Sequence, residues 1–216
     1  MRDLREQPYQ GYAYAYPHKT AYRAFEQPLS LQELWAREDQ KALYLYVHVP
    51  FCEMRCGFCN LFTTTNPKGD LVSQYLEALE SQMKATAAYL GDGFRFARGA
   101  VGGGTPTFLS VPELSRFFDI LQKHLGGLTP GMPVSFETSP ATVDPEKLEL
   151  LKEQGITRVS IGVQSFFREE TKSLGRPQDP EVLEHALTLM RKANFPVLNI
   201  DLIYGCLLYT SPSPRD

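Results

Sequence analysis

Tyr46 to Cys59 reads Y-V-H-V-P-F-C-E-M-R-C-G-F-C and puts Cys52, Cys56 and Cys59 in one short loop. The loop follows an apolar run, Leu43 to Val49, that reads as a buried strand. Three thiols acting together must be held in fixed relative positions, so this stretch constrains the fold more than any other. Three thiolates can hold three irons of a [4Fe–4S] cluster and leave the fourth iron open to a small ligand. The same cysteines with His48 could instead make a closed Cys₃His zinc site, since thiolate and imidazole are zinc's preferred ligands. Spacing alone leans toward iron–sulfur, because zinc motifs more often pair one C-x₂-C with a second.

The remaining cysteine, Cys206, is far from this loop. Three of four cysteines in one loop is a ligand pattern and not a disulfide framework, which points to the reducing cytoplasm. A chain of 216 residues is long enough for one domain with a sizeable core, and 43% hydrophobic with 22% charged residues is ordinary for such a domain. The net charge of −3 gives no general pull toward nucleic acid. The charged, aromatic N-terminal stretch lacks the apolar core of a secretory signal, and no apolar run approaches a bilayer span.

Residues 1–40 read as an N-terminal extension without a clear period. Within it, Tyr12, Tyr14 and Tyr16 alternate as in an edge strand. His18, Lys19 and Arg23 could meet an anionic group, although packing over a covered surface is the plainer use of such residues. From Leu43 on, strand-like and helix-like stretches alternate. Leu71, Tyr75, Leu79 and Met83 recur at helical spacing, and Phe96 to Val101 reads as a strand running into Gly102-Gly103-Gly104-Thr105. Ser110 and Glu113 form a capping box before a helix whose apolar face is Leu114, Phe117, Phe118, Leu121 and Leu125. Met132 to Glu137 is the third strand. Asp144-Pro145 opens a helix that Gly155 stops, Arg158 to Gln164 is the fourth strand, Asp179-Pro180 opens a helix running to Ala193, and Val197 to Tyr204 is the fifth strand.

Repeated βα units imply a parallel sheet with right-handed crossovers. Thr105, Glu137, Gln164 and Asp201 all fall at or near predicted strand ends, and the cysteines follow the first strand. Ligands of parallel α/β folds bind at the C-terminal strand edge, so successive units aim polar chemistry at one rim. Each residue taken singly could be a cap or a supporting contact; the joint placement carries the inference.

Y-V-H-V-P-F-C-x₃-C-x-F-C, G-G-G-T-P-T, E-T-S-P, R-V-S-I-G-V-Q-S-F, L-G-R and N-I-D-L-I-Y-G together resemble the radical S-adenosylmethionine (SAM) enzymes of the oxygen-independent coproporphyrinogen III oxidase type. The resemblance spans about residues 43–205 and implies a partial (β/α)₆ TIM-like barrel as the α/β architecture, with residues 41–205 as its core. It implies that Cys52, Cys56 and Cys59 ligate a [4Fe–4S] cluster whose open iron chelates SAM. Tyr46, Phe58, Gly103, Gly104, Thr105, Glu137, Gln164, Arg176 and Asp201 match positions that contact SAM. Reductive cleavage of SAM to a 5′-deoxyadenosyl radical is the implied chemistry. It needs an external one-electron donor, such as a flavodoxin or ferredoxin, and a small-molecule substrate of the tetrapyrrole class.

Two departures shape the expectation. The oxidase proper has a cysteine two residues after the third ligand, where this chain has Leu61, so the sequence looks closer to oxidase-like relatives that include haem chaperones. After Gly205 the chain becomes C-L-L-Y-T-S-P-S-P-R-D, which reads as a non-native read-through tail over residues 206–216. On that reading the barrel is incomplete at its C-terminus and Cys206 is no ligand.

Overall fold

A computed structural model describes residues 23–128 and 131–203. Tyr12, Tyr14, Tyr16, His18, Lys19, Cys206 and the rest of residues 206–216 lie outside the described residues.

A short helix, α1 (Leu31–Trp35), precedes the first strand, β1 (Leu43–Val49). Ser30 caps α1 by accepting the Glu33 N–H at 3.3 Å, a local signal within a segment that showed no clear period. The chain then makes a two-residue strand, β2 (Phe51–Cys52), passes through the cysteine loop, and returns as β3 (Thr64–Thr65), which pairs with β2 in parallel. The first long helix is α2 (Leu71–Leu90). Next come β4 (Phe96–Gly103), α3 (Val111–Leu125), β5 (Val134–Thr138), α4 (Pro145–Glu153) and β6 (Arg158–Gln164). A short α5 (Arg168–Ser173), α6 (Pro180–Ala193) and β7 (Val197–Leu202) complete the described elements.

The capping signals work as the sequence indicates. Glu113 reaches back to the Ser110 N–H at 2.8 Å at the head of α3. Asp144 accepts from Glu146 and Lys147, and Asp179 from Glu181, each beside a proline at the first helical position where no N–H is missed. The third strand begins two residues later than expected, at Val134, because Pro133 has no N–H to give a ladder and only accepts, from Gly99 at 3.0 Å.

The main sheet has strand order β1-β4-β5-β6-β7, and every pairing is parallel. Spatial order follows chain order. A doubly wound sheet would reverse direction at a switch point; a barrel-type sheet does not, and its helices all lie on one side. The core is built accordingly. Val47, Val49, Val101, Phe136, Val159, Ile161 and Val163 from the strands pack against Leu76, Leu79 and Met83 of α2, Phe117 and Leu121 of α3, Leu151 of α4 and Met190 of α6. Leu71, expected on the packed face of α2, is instead 38% exposed at the helix's first position. Among the described residues β1 and β7 are the sheet's edges, so the arc is an open, partial barrel. Among them, too, no helix is long and apolar enough to cross a membrane.

Candidate functional site

The positions that alternate with the core residues face the concave side. On β6 they are Ser160, Gly162 and Gln164; on β5, Glu137; on β1, Tyr46 and His48. One concavity at the C-terminal rim is lined by Cys52, Cys56, Phe58, Cys59, Gly103, Gly104, Thr105, Glu137, Gln164, Arg176 and Asp201. These are all the site residues expected from sequence except Tyr46. Leu61, the residue in place of the oxidase's further cysteine, lines it too, as do Met54, Thr63, Thr138, Ser139, Ser160 and Gly162, which were not singled out; the period-two pattern of R-V-S-I-G-V-Q was the available signal for Ser160 and Gly162.

Tyr46 stands beside the concavity, 54% exposed on edge strand β1, with its hydroxyl 3.1 Å from His48 Nδ1. His48 Nε2 lies 2.8 Å from the Phe62 carbonyl. A carbonyl can only accept, so Nε2 carries a proton, and in the neutral ring Nδ1 accepts from the Tyr46 hydroxyl. Both ring nitrogens are thus engaged, and His48 ties β1 to the chain following Cys59.

The glycine run approaches the cysteine loop closely. Gly104 N–H donates to Val49 O at 2.7 Å and Thr105 N–H to Phe51 O at 2.6 Å. A Cβ on Gly104 would lie 2.5 Å from that Phe51 oxygen, and one on Gly102 would lie 2.7 Å from the Glu137 carboxylate. At Gly104, where the obstacle is backbone, only glycine lets the chain in, whereas at Gly102 the Glu137 carboxylate would have to move. Glu137 accepts from the Gly103 N–H at 3.3 Å. Although Glu137 is exposed on the rim face, partial desolvation in the concavity pushes its carboxyl above the usual range; the Gly103 bond and a charged His48 draw it down, and nearby Asp201 pushes it up. Asp201 accepts from Asn199 Nδ2 at 2.7 Å on its own strand.

Gln164 ends β6 with φ +70°, a left-handed conformation uncommon outside glycine. The register between β6 and β7 shifts there, between Gly162 and Gln164, and the Gln164 carbonyl accepts from Ile203 N–H at 2.8 Å. The bulge turns the amide into the rim.

Cys52, Cys56 and Cys59 are free thiols, with Cys56 buried and the others half-buried. Each sulfur has a different neighbour: Thr105 Oγ1 at 3.3 Å for Cys52, Arg176 Nη1 at 3.1 Å for Cys56, and Thr63 Oγ1 at 4.0 Å for Cys59. Burial pushes the Cys52 thiol up, an effect the Thr105 hydroxyl partly offsets. Glu53, next to Cys52, accepts from Ser139 Oγ at 2.6 Å and so fastens the loop to the end of β5. Among the described residues no three His, Cys, Asp or Glu converge as one metal ion requires. Zinc needs all its donors within about 2.3 Å of a single point. A cluster takes each thiolate at a different iron and asks nothing of His48, whose two ring nitrogens are engaged by Tyr46 and Phe62, so the three thiols fit a cluster. The glycine run and the Glu137, Gln164 and Asp201 side chains leave a polar cradle beside the cysteines that fits a hydroxyl-rich cationic ligand.

The family profile described as Radical SAM superfamily matches residues 46–207. Oxygen-independent coproporphyrinogen III oxidase of Salmonella typhimurium is 34% identical over 203 residues, which are 91% of this chain and 44% of that protein. Heme chaperone HemW of Bacillus subtilis is 32% identical over 163 residues, 74% of this chain and 42% of that one. Among solved structures, the coproporphyrinogen III oxidase HemN of Escherichia coli, described as a radical SAM enzyme, superposes with a TM-score of 0.80 at 30% identity over 94% of this chain and 46% of its own. The chain spans less than half the length of these relatives.

Proposed function

The chain belongs to the radical SAM superfamily, and from that premise we propose that it is an oxidoreductase whose rim holds a [4Fe–4S] cluster and SAM. When bound, these groups supply the reductive cleavage of SAM to a 5′-deoxyadenosyl radical that abstracts hydrogen from substrate. Cys52, Cys56 and Cys59 would hold the cluster. Glu137, Gln164 and Asp201 would accept or donate hydrogen bonds to the polar groups of SAM. Gly103, Gly104 and Thr105 would bring backbone and hydroxyl against its methionine end, with Phe58 beside the adenine and Tyr46 at the edge of the bound cofactor. The protein's part is to orient and to keep water from the reacting atoms; the proposal asks no side chain to act as a general base.

The observation that carries this reading is the convergence, in one concavity, of three free thiols from one loop with polar side chains delivered by four further strand ends. Reconstitution with iron and sulfide tests it. A brown protein whose reduced-cluster paramagnetic signal changes on adding SAM, and which releases 5′-deoxyadenosine under dithionite, is the expected result. A colourless protein with stoichiometric zinc would overturn it.

The proposed substrate is a tetrapyrrole, by analogy with the named relatives. A second reading has one observation in its favour: Leu61, apolar and 50% exposed at the rim, stands where the oxidase proper has a cysteine. That reading is a haem-binding chaperone that keeps the cluster and SAM site, as the similarity to HemW suggests. Deoxyadenosine released above background favours the enzyme. Tight haem uptake without it favours the chaperone.

A further inference from the structure

Between α5 and α6 the chain, as Leu174-Gly175-Arg176, crosses over the cysteine loop. Gly57, the neighbour of Cys56, donates its N–H to Leu174 O at 3.0 Å. A Cβ on Gly57 would lie 2.7 Å from that oxygen, and one on Gly175, whose φ is +62°, would lie 3.1 Å from Gly57 N. The contact is backbone against backbone and leaves little play. Arg176 is fixed at its own base by its N–H to Thr171 O at 2.8 Å. Its guanidinium then forks: Nη2 donates to Gly162 O on β6 at 2.9 Å, and Nη1 to Cys56 Sγ at 3.1 Å. The other two cysteine sulfurs have hydroxyl neighbours, from Thr105 and Thr63.

We propose that Arg176 is a positioning residue for the Cys56 thiolate and raises the reduction potential of the cluster that the thiolate holds. This rests on the cofactor reading above, and adds a role at the cluster to the SAM contact that the sequence resemblance implies for Arg176. Cluster potential is set by net charge, by hydrogen bonds to the sulfurs and by solvent exposure. A guanidinium keeps its proton throughout the working pH range and presents a rigid fork of donors. Its charge and its N–H···S bond both favour the oxidation state with one more electron. The step concerned is uptake of one electron by the cluster from a low-potential one-electron donor. No bond is made or broken, and no proton moves.

The test is a redox titration of the whole reconstituted chain with dithionite and viologen mediators, followed by the paramagnetic signal of the reduced cluster. It compares wild type with Arg176→Met, Arg176→Lys and Arg176→Gln. The expected result is near-wild-type iron and sulfide content in Arg176→Met with the midpoint shifted to more negative potential, and partial restoration in Arg176→Lys, which keeps the charge. If Arg176→Met does not fold, a more negative midpoint in Arg176→Gln than in Arg176→Lys supports the proposal and equal midpoints overturn it. An unchanged midpoint in Arg176→Met accompanied by weaker SAM binding also overturns it and leaves the residue to SAM alone. Failure of the wild type to take up any cluster sinks the cofactor reading itself, which separates the two failures.

Discussion

Along β6, Val159, Ile161 and Val163 are wholly buried under the helices, whereas Ser160, Gly162 and Gln164 line the rim concavity. The two sets alternate on one strand, so a step of one residue moves from the region that holds the fold together to the region that carries chemistry. Sheets covered on both faces read as continuous apolar runs. This one alternates because helices cover a single side. The lesson is that stability and ligand chemistry occupy opposite faces of the same strands, and substitutions on the two faces should fail in different ways.

The sharpest test of that division is Cys56→Ala. It should abolish cluster binding, read as iron and sulfide content, while moving unfolding free energy by no more than about 1 kcal/mol. Full iron retention would break the assignment. The reciprocal change is Phe117→Ala on the covered face, where the ring is fully buried. It should cost ~3–5 kcal/mol in denaturant unfolding and, in whatever fraction stays folded, leave the cluster's spectrum unchanged. Asp201→Ala comes next. Loss of one charge-assisted contact, ~1.5–3 kcal/mol, should weaken SAM by about tenfold or more, with cluster content intact. SAM binding at wild-type strength would remove Asp201 from the site.

The smallest effects come from two glutamates, one on each face, with opposite signs. Glu80 of α2 accepts from Lys123 at 2.7 Å and lies 3.0 Å from His124 Nε2, and these partners hold its carboxyl down from 4.5 to about 2. A depressed acid contributes stability above the unfolded value and loses it as pH falls through the folded one. Glu80→Gln should therefore lower the melting temperature slightly at pH 7, with the difference fading from pH 4.5 toward 2. Glu137, exposed on the rim face, is shifted upward, chiefly by partial desolvation in the concavity. A raised acid favours the fold below 4.5 and loses that contribution as pH rises through its folded value. Glu137→Gln should raise the melting temperature at neutral pH and weaken SAM binding. Melting curves across pH 3–8 check both; equal signs for the pair would contradict the division of faces.

Much of the arrangement was legible in the sequence because its signals are local. Asp144-Pro145, Asp179-Pro180 and the Ser110–Glu113 box act within one helical turn, and β1 and β6 end where their patterns end. What stayed hidden depends on tertiary contact. The two-residue strands β2 and β3 are too short to show a period, and α5, R-E-E-T-K-S, has no apolar stripe. The Glu53–Ser139 and Arg176–Cys56 bonds join residues far apart in the chain, and nothing in either partner's neighbourhood announces the other. Phe62's hold on His48 is of the same kind.

The left-handed backbone at Gln164 has a consequence for which residues this position can explore. Branching at Cβ makes Val, Ile and Thr poor occupants of that conformation, while Gly and Asn enter it readily. A pool of variants at this codon is therefore sieved twice. Selection for folding alone should enrich glycine and asparagine, and selection for SAM-dependent growth should return glutamine. The two lineages would diverge at a single letter, one keeping the bulge and the other keeping the bulge together with the amide it presents.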